Sequence, residues 1–151
     1  MLRKLLSDDH ARLDALLRQC LDSARIPDDA YEEFRRGLLW HIGVEERLLF
    51  PELRKLEGGA ALERQLHRDH AALAALLVPP PTRAELEQIS EILREHNVLE
   101  EEPGGLYERV ESDALAARIR EVPPVRLAPH SDTPLLRETI AQLLRERRRD
   151  V

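Results

Sequence analysis

Two short stretches of the chain repeat one arrangement of side chains that can bind metal. His41 precedes Glu45 by four residues, His96 precedes Glu100 by four, and a further glutamate follows each time. On an α-helix, residues four apart differ by only about 40° in rotation and about one turn in rise. Each pair therefore projects an imidazole and a carboxylate from one helix face. Two such pairs predict a site for two metal ions, or for one ion held from both sides.

The two pairs belong to an internal duplication. The segment DHARLDALL at residues 9–17 matches DHAALAALL at residues 69–77, and each copy precedes one of the pairs. The copies supply His10 and His70, which lie on the flank of an apolar stripe, about 60–80° from its centre at 100° per residue. We interpret each half as a helical hairpin that contributes one histidine from its first helix and a His–Glu pair from its second. Two hairpins packed together form a four-helix bundle, in which short connections favour antiparallel neighbours.

The predicted metal ligands combine nitrogen and oxygen donors. Four imidazoles and two carboxylates suit iron or manganese, whereas zinc takes fewer ligands and often includes cysteine. The two glutamates are suited to bridge two ions, with the histidines in terminal positions. The chain has a single cysteine, which excludes an internal disulfide and a cysteine-rich metal site. The predicted set is His10, His41, Glu45, His70, His96 and Glu100.

The elements that position these residues are predicted to be helices. The 151 residues are rich in leucine, alanine, glutamate and arginine, which is typical of an all-α protein. Pro51 falls inside the second helical pattern, where its ring clashes with the carbonyl group of Arg47, so we expect a kink or a break there. Thr82 and Glu85 form a capping box that opens the fourth helix. The apolar spacing predicts helices over about residues 2–24, 28–56, 60–78, 82–102 and 106–120, and from about 133 onward.

Three regions follow from this pattern: a helical bundle over residues 1–120, a proline-rich connector over 121–134 and an amphipathic helix over 135–151. The last helix cannot bury its apolar stripe alone, so we expect it to pack on the bundle, on a second copy of the chain as a homodimer, or on another protein partner. The net charge of −6 argues against nucleic acid as a partner. The sequence offers no signal peptide and no stretch that could span a membrane, so we expect a cytoplasmic protein.

The chain resembles the hemerythrin family, in particular its HHE cation-binding branch. The resemblance covers about residues 1–118 and implies an up-down-up-down antiparallel four-helix bundle. It also implies a non-haem centre of two iron ions, often oxo- or hydroxo-bridged, with manganese or zinc as substitutes. The matching motifs are Asp9-His10, His41-x-x-x-Glu45-Glu46 with Leu49-Phe50-Pro51, Asp69-His70, and His96-x-x-x-Glu100-Glu101 with Leu106-Tyr107.

The third and fourth helices depart from the pattern of the family's oxygen carriers. The carriers have His-x-x-x-His on the third helix, where this chain has Leu66 four residues before His70. They also have His-x-x-x-x-Asp on the fourth helix, where this chain has His96-x-x-x-Glu100. The departures fit better with members that use four histidines and two glutamates and that leave positions open for oxygen, nitric oxide or peroxide.

Several further polar residues lie near the predicted ligands. His67 is three residues before His70; we interpret it as solvent-facing, with a fifth imidazole ligand as the alternative. Asp9 and Asp69 lie close to the centres of their apolar stripes. They accept hydrogen bonds from ligand imidazoles, or they lie near the end of the bundle and reach water. Glu46 and Glu101 sit about 100° round the helix from the ligand glutamates and are expected to be solvated. Trp40, Phe50 and Tyr107 are expected to fill the core, with a position near the centre that limits access as the alternative. Besides the ligands, only His67 and Tyr107 offer a general acid or base beside the site.

Three functions are compatible with these observations. The first is a di-iron protein that binds or senses a small diatomic ligand or iron, as part of a response to oxygen, nitric oxide or peroxide. The second is a di-iron enzyme or repair protein, which removes peroxide or nitric oxide or delivers iron to iron–sulfur clusters. The third is a structural bundle whose histidines are incidental. Bound iron separates the third from the others, and turnover separates the second from the first.

Overall fold

The computed structural model describes residues 1–149, and over this range the protein is all-helical, which confirms the predicted fold class. No strand and no helix long and apolar enough to cross a membrane occurs in that part of the chain. Asp150 and Val151, which the predicted last helix included, lie outside the described residues. The helices are α1 (Leu2–Asp22), α2 (Asp28–Val44), a π-helical segment (Glu45–Leu49), α3 (Phe50–Arg54), α4 (Gly59–Leu76), α5 (Arg83–Glu101), α6 (Leu106–Val110), α7 (Asp113–Arg120) and α8 (Pro134–Arg149).

Four long helices enclose the core: α1 packs against α2 and α5, and α4 packs against α5. The core consists of two apolar clusters. Along α1, Leu6 belongs to one cluster and Leu13 to the other, and His10 lies between them; α4 repeats this order with Leu66, His70 and Leu73. Along α2 and α5 the two clusters follow in the opposite order: His41 lies between Leu38 and Val44, and His96 lies between Ile92 and Leu99. The histidines therefore form a polar layer between two apolar ones.

The break expected at Pro51 takes the form of the π-helical segment. Proline has no N–H group and its ring crowds the carbonyl group four residues earlier, so the regular helix cannot continue through it. One turn before the proline the helix widens, and the Phe50 N–H group donates to the carbonyl oxygen of Glu45, five residues back. Single π-turns of this kind are frequent at functional sites. Here the wide turn begins at Glu45, one of the predicted ligands.

The prediction of one helical stretch over residues 106–120 was wrong, because the structure has two short helices there. The hydroxyl group of Ser112 accepts a hydrogen bond from the Leu115 N–H group at 3.2 Å, which starts α7 as a new helix. The preceding residue, Glu111, contacts the N-terminal end of α1. Its carboxylate accepts hydrogen bonds from the N–H groups of Leu2 and Arg3 at 3.1 and 3.3 Å and so caps α1.

The connector between α7 and α8 runs along α2. The indole N–H of Trp40 donates to the Val122 carbonyl oxygen at 3.1 Å, and Arg35 donates to the Ala128 carbonyl oxygen at 2.9 Å. Helix α8 then packs against α4, and its Ile140 is buried in the core. Of the packing sites expected for the last helix, the structure thus shows one within the chain itself.

Candidate metal centre

The predicted ligands lie together in the polar layer of the core. Their exposed fractions run from 0% for Glu45 and Glu100 to 8% for His10. They form two overlapping groups, and within each group the potential ligand atoms lie within 4.8 Å of one another. We call these groups the first and the second subsite. The first subsite consists of His10, His41, Glu45 and Glu100, and the second of Glu45, His70, His96 and Glu100.

The two glutamates are shared because each turns one carboxylate oxygen toward each subsite. Glu45 Oε2 lies 3.3 Å from His41 Nε2, and Glu45 Oε1 lies 3.1 Å from His70 Nε2. Glu100 repeats this arrangement, with Oε1 at 3.1 Å from His10 Nε2 and Oε2 at 3.0 Å from His96 Nε2. Each subsite thereby gathers two imidazole nitrogens and two carboxylate oxygens.

A second ring of carboxylates holds the imidazoles from the outside. In each histidine the Nε2 atom faces the shared glutamates, while the Nδ1 atom faces a different acidic side chain. Partners of this type fix the orientation and tautomer of a ligand imidazole and raise its basicity. The four contacts are His41–Asp9 at 2.8 Å, His96–Asp69 at 2.9 Å, His70–Glu46 at 2.9 Å and His10–Glu101 at 3.3 Å.

Asp9 and Asp69 thus contact imidazoles, which is the first of the two positions considered for them from the sequence. Glu46 and Glu101 were expected to be solvated rather than ligating; they stand outside both subsites and are 28% and 35% exposed, but each also contacts a histidine of a neighbouring helix. The rotation around their own helix pointed to solvent, whereas the contacts come from another helix. The available signal was the repetition of a second glutamate after both His–Glu pairs.

His67 takes no part in either subsite. Its side chain is 63% exposed, and its Nδ1 atom lies 2.8 Å from Glu46 Oε1. The same oxygen lies 2.9 Å from His70 Nδ1. His67 therefore faces solvent, and its ring contacts the acidic partner of a predicted ligand.

The hydroxyl group of Tyr107 lies inside the first subsite. It donates to Glu45 Oε2 at 2.7 Å and lies 3.1 Å from Glu100 Oε1. It is also 3.0 Å from the Nε2 atoms of both His10 and His41. The sequence predicts a core position for Tyr107, with a general acid or base beside the site as the alternative; periodicity does not reveal which side chains its hydroxyl group contacts.

The duplication is therefore imperfect at the centre. Phe50 occupies the place in the first half that Tyr107 occupies in the second. The Phe50 ring stacks on the His70 imidazole, with ring centroids 5.3 Å apart and planes inclined by 7°. The first subsite thus has a phenol among its donor atoms, and the second has only a hydrocarbon ring beside it.

The electrostatics of the cluster depend on the close alternation of imidazoles and carboxylates. Burial lowers the pKa of His41, but the charge of Glu45 and the hydrogen bond to Asp9 outweigh it and raise that pKa to about 10. Burial likewise lowers the pKa of His96, while Glu100 and Asp69 raise it to about 10. Burial and the charges of Glu100 and Glu45 raise the pKa of the Tyr107 phenol well above its ordinary value. The His41 and His96 imidazoles therefore hold a second proton more strongly than a free imidazole does, because they face the buried carboxylates of Glu45 and Glu100.

The residues present fit a bound cation. Glu100 Oε2 is buried and accepts no well-aligned hydrogen bond from the described residues, because the nearby His96 Nε2 atom, at 3.0 Å, is not oriented to donate to it. An unsatisfied buried carboxylate oxygen costs a protein folding free energy. A cation between the imidazoles and carboxylates would satisfy this oxygen, and nitrogen and oxygen donors of this kind suit iron, manganese and zinc.

A cavity of about 300 Å³ leads from the subsites toward the surface between α1 and α5. Its inner wall includes Leu13, Leu17 and Leu93, and exposed Arg18 and Arg94 stand near its outer end. Arg18 donates to the Ser90 hydroxyl group at 3.3 Å and so links the two helices across the cavity. Small molecules have a route to the buried cluster.

The family model named hemerythrin HHE cation binding domain matches residues 1–103. The chain belongs to the hemerythrin HHE cation-binding family. The matched segment contains every residue of both subsites, whereas Tyr107, the connector and α8 follow it. Comparisons with curated proteins and with solved structures find no match.

Proposed function

We propose that this hemerythrin HHE protein binds two metal ions, iron in the first place, and uses them to bind or sense a small ligand. The observation that carries the proposal is the sharing of Glu45 and Glu100. Because each carboxylate turns one oxygen to each subsite, Glu45 and Glu100 would each help to hold an ion in both subsites. A single ion would leave one of the two imidazole pairs without a cation.

The proposed fold around this centre is an up-down-up-down antiparallel four-helix bundle of α1, α2, α4 and α5. The order of the two apolar clusters along these helices supports it. The order reverses from α1 to α2 and again from α4 to α5, as it does when neighbouring helices run in opposite directions.

Oxygen, nitric oxide and peroxide are the proposed ligands. Each subsite offers four donor atoms, which is fewer than octahedral iron accepts, so positions are left open for a small molecule. Leu66 supports this proposal, because it is fully buried where the oxygen carriers that the chain resembles have a further histidine. The cavity between α1 and α5 gives such a ligand access.

An enzymatic function is the second candidate, and Tyr107 is the observation in its favour. General acid catalysis needs a proton donor within hydrogen-bond reach of the reacting group. The Tyr107 hydroxyl group, which donates to Glu45 in the first subsite, would serve as such a donor once a bound ion has displaced it from that carboxylate. The reaction class would then be a two-electron, two-proton reduction, of peroxide to water or of two nitric oxide molecules to nitrous oxide and water, with two ferrous ions as the electron donors and a cellular reductant to restore them.

The test is the metal content and absorption spectrum of the protein purified without chelator from cells supplied with iron. We expect iron to be bound, with spectra that change on exposure to oxygen or nitric oxide. The variants Glu45→Ala and His96→Ala should lose iron, while His67→Ala serves as a control that keeps it. An iron-free wild-type protein that also binds no added ferrous ion would contradict the proposal. Consumption of peroxide or nitric oxide beyond one equivalent per site would favour the enzyme over the sensor.

A further inference from the structure

Asp69 joins the metal cluster to the last helix of the chain. Its Oδ2 atom lies 2.9 Å from His96 Nδ1, and its Oδ1 atom accepts a hydrogen bond from Arg147 Nε at 2.7 Å. Arg147 also donates to Glu95 Oε2 at 2.6 Å. The arginine of α8 thus bridges α4 and α5, which are the helices that carry the histidines of the second subsite.

The first half of the duplication holds its aspartate differently. Asp9 Oδ2 lies 2.8 Å from His41 Nδ1, and Asp9 Oδ1 accepts hydrogen bonds from the guanidinium group of Arg12 at 3.0 and 3.1 Å. Arg12 lies on the same helix, three residues further on. The corresponding position in the second half is Ala72, whose side chain has no hydrogen-bond donor. Within the second half itself, Asp69 therefore lacks the arginine partner that the duplication would provide.

Helix α8 supplies the missing partner. Ala72 is buried in the same apolar cluster as Ile140, so the small side chain lies in the core that α8 completes. The packing of α8 on α4 brings Arg147 to Asp69. The two arginines differ in their surroundings, because the side chain of Arg147 is 14% exposed and that of Arg12 is 46% exposed. The contact made by α8 is therefore less screened by solvent.

We propose that Arg147 is a positioning residue for the second metal subsite, acting through Asp69 on the imidazole of His96. The proposal rests on the proposed two-ion function. It assigns to α8, which lies beyond the segment matched by the family model, the role of completing a metal site in the bundle. Because coupling between two sites is reciprocal, an ion in the second subsite also strengthens the attachment of α8.

The test uses the full chain with Arg147→Ala, and exposed Arg148→Ala as the matched control. Ferrous ion is titrated anaerobically against a competing chelator, so that the affinities of the two ions are obtained separately. Loss of a partner that holds a ligand imidazole typically weakens metal binding by about 10–100-fold. We expect Arg147→Ala to weaken the binding of one ion to this extent and the binding of the other by less than about threefold. We expect Arg148→Ala to change neither affinity. Arg147→Lys should restore part of the lost affinity, because lysine keeps the positive charge but presents it as a single point charge.

The corresponding variant in the first half is Arg12→Ala. It should weaken the binding of the other ion, and by a smaller factor than Arg147→Ala does. If the role of Arg147 were purely structural, Arg147→Ala would instead lower the affinity for both ions and also lower the melting temperature of the chelator-treated protein. Equal weakening of both ions, or no change, would overturn the proposal while two-ion binding by the wild type stands. A wild-type protein that binds no ion would overturn this proposal and the proposed function together.

Hydrogen exchange provides a second readout that does not depend on affinity. Loading the wild type with ferrous ion should slow amide exchange in α8. In Arg147→Ala the same loading should leave exchange in α8 unchanged, while the amides of α1 and α2 are still protected. Protection of α8 to the same extent in both proteins would contradict the coupling.

Discussion

Replacing Tyr107 by phenylalanine should destabilise the metal-free protein and tighten metal binding. Metal–ligand bonds to nitrogen and oxygen are about 2.0–2.2 Å long. The hydroxyl group lies within 3.1 Å of four donor atoms of the first subsite, so it occupies space that an ion held by those atoms needs. The hydroxyl group and the ion therefore compete for the same place.

The magnitude follows from the hydrogen bond to Glu45. A hydrogen bond to a charged group contributes about 1.5–3 kcal/mol, and this one is short and fully buried. We expect Tyr107→Phe to lower the free energy of unfolding of the metal-free protein by about 2 kcal/mol. If the ion must displace the hydroxyl group, it must break this hydrogen bond in the wild type but not in the variant. The variant should therefore bind one ion more tightly by about 2 kcal/mol, which is about 30-fold in affinity.

The assay combines urea unfolding of the chelator-treated protein with anaerobic titration of ferrous ion. Tyr31→Phe is the matched control, because Tyr31 is also buried but its hydroxyl group has no hydrogen-bond partner among residues 1–149. This control should change neither quantity appreciably. Weaker metal binding by Tyr107→Phe would refute the reasoning. So would a visible phenolate-to-iron absorption band in the ferric wild type that the variant lacks, since Tyr107 would then be a ligand.

Three further predictions concern pH and the ends of helices. His41 and His96 have folded-state pKa values of about 10, above their ordinary value of 6.5. Thermal melts should therefore show that the metal-free protein loses stability as pH rises from 6.5 through 10, whereas stabilisation by added metal grows over the same range because the imidazoles must release their protons to bind it. Glu111→Ala removes the cap of α1 and should cost about 1 kcal/mol in urea unfolding, whereas an unchanged midpoint would show that the cap contributes nothing. Gly105→Ala places a Cβ atom 2.5 Å from the Leu99 carbonyl oxygen, so it should lower the melting temperature and loosen the end of α5 next to Glu100.

The duplicated spacing made the composition of the polar layer predictable from the sequence. His10 and His70 share a phase relative to their apolar stripes, and the pairs at His41 and His96 share another, so the repeat places all of them inward. The break before Pro51 was predictable for a local reason, namely the missing N–H group. These features depend on residues one or two turns apart, where helical geometry alone fixes the direction of a side chain.

The features that the sequence did not reveal depend on elements that pack from elsewhere. The Tyr107 hydroxyl group reaches the first subsite because Pro103-Gly104-Gly105 ends α5 and the short helix α6 packs against α1, α3 and α5. Arg147 reaches Asp69 only because α8 packs on α4 after a connector that has no regular structure. Periodicity within a helix carries no information about either approach.

The number of ions that the protein binds tests the central claim most directly, with Glu45→Ala and His70→Ala compared against the wild type. Glu45 belongs to both subsites and His70 to one. In anaerobic titration with ferrous ion, we expect two ions per chain in the wild type and one tightly bound ion in His70→Ala, with both ions weakened in Glu45→Ala. A wild type that saturates at one ion, or a Glu45→Ala variant that loses one ion and keeps the other at full affinity, would contradict a centre of two ions that share their glutamates.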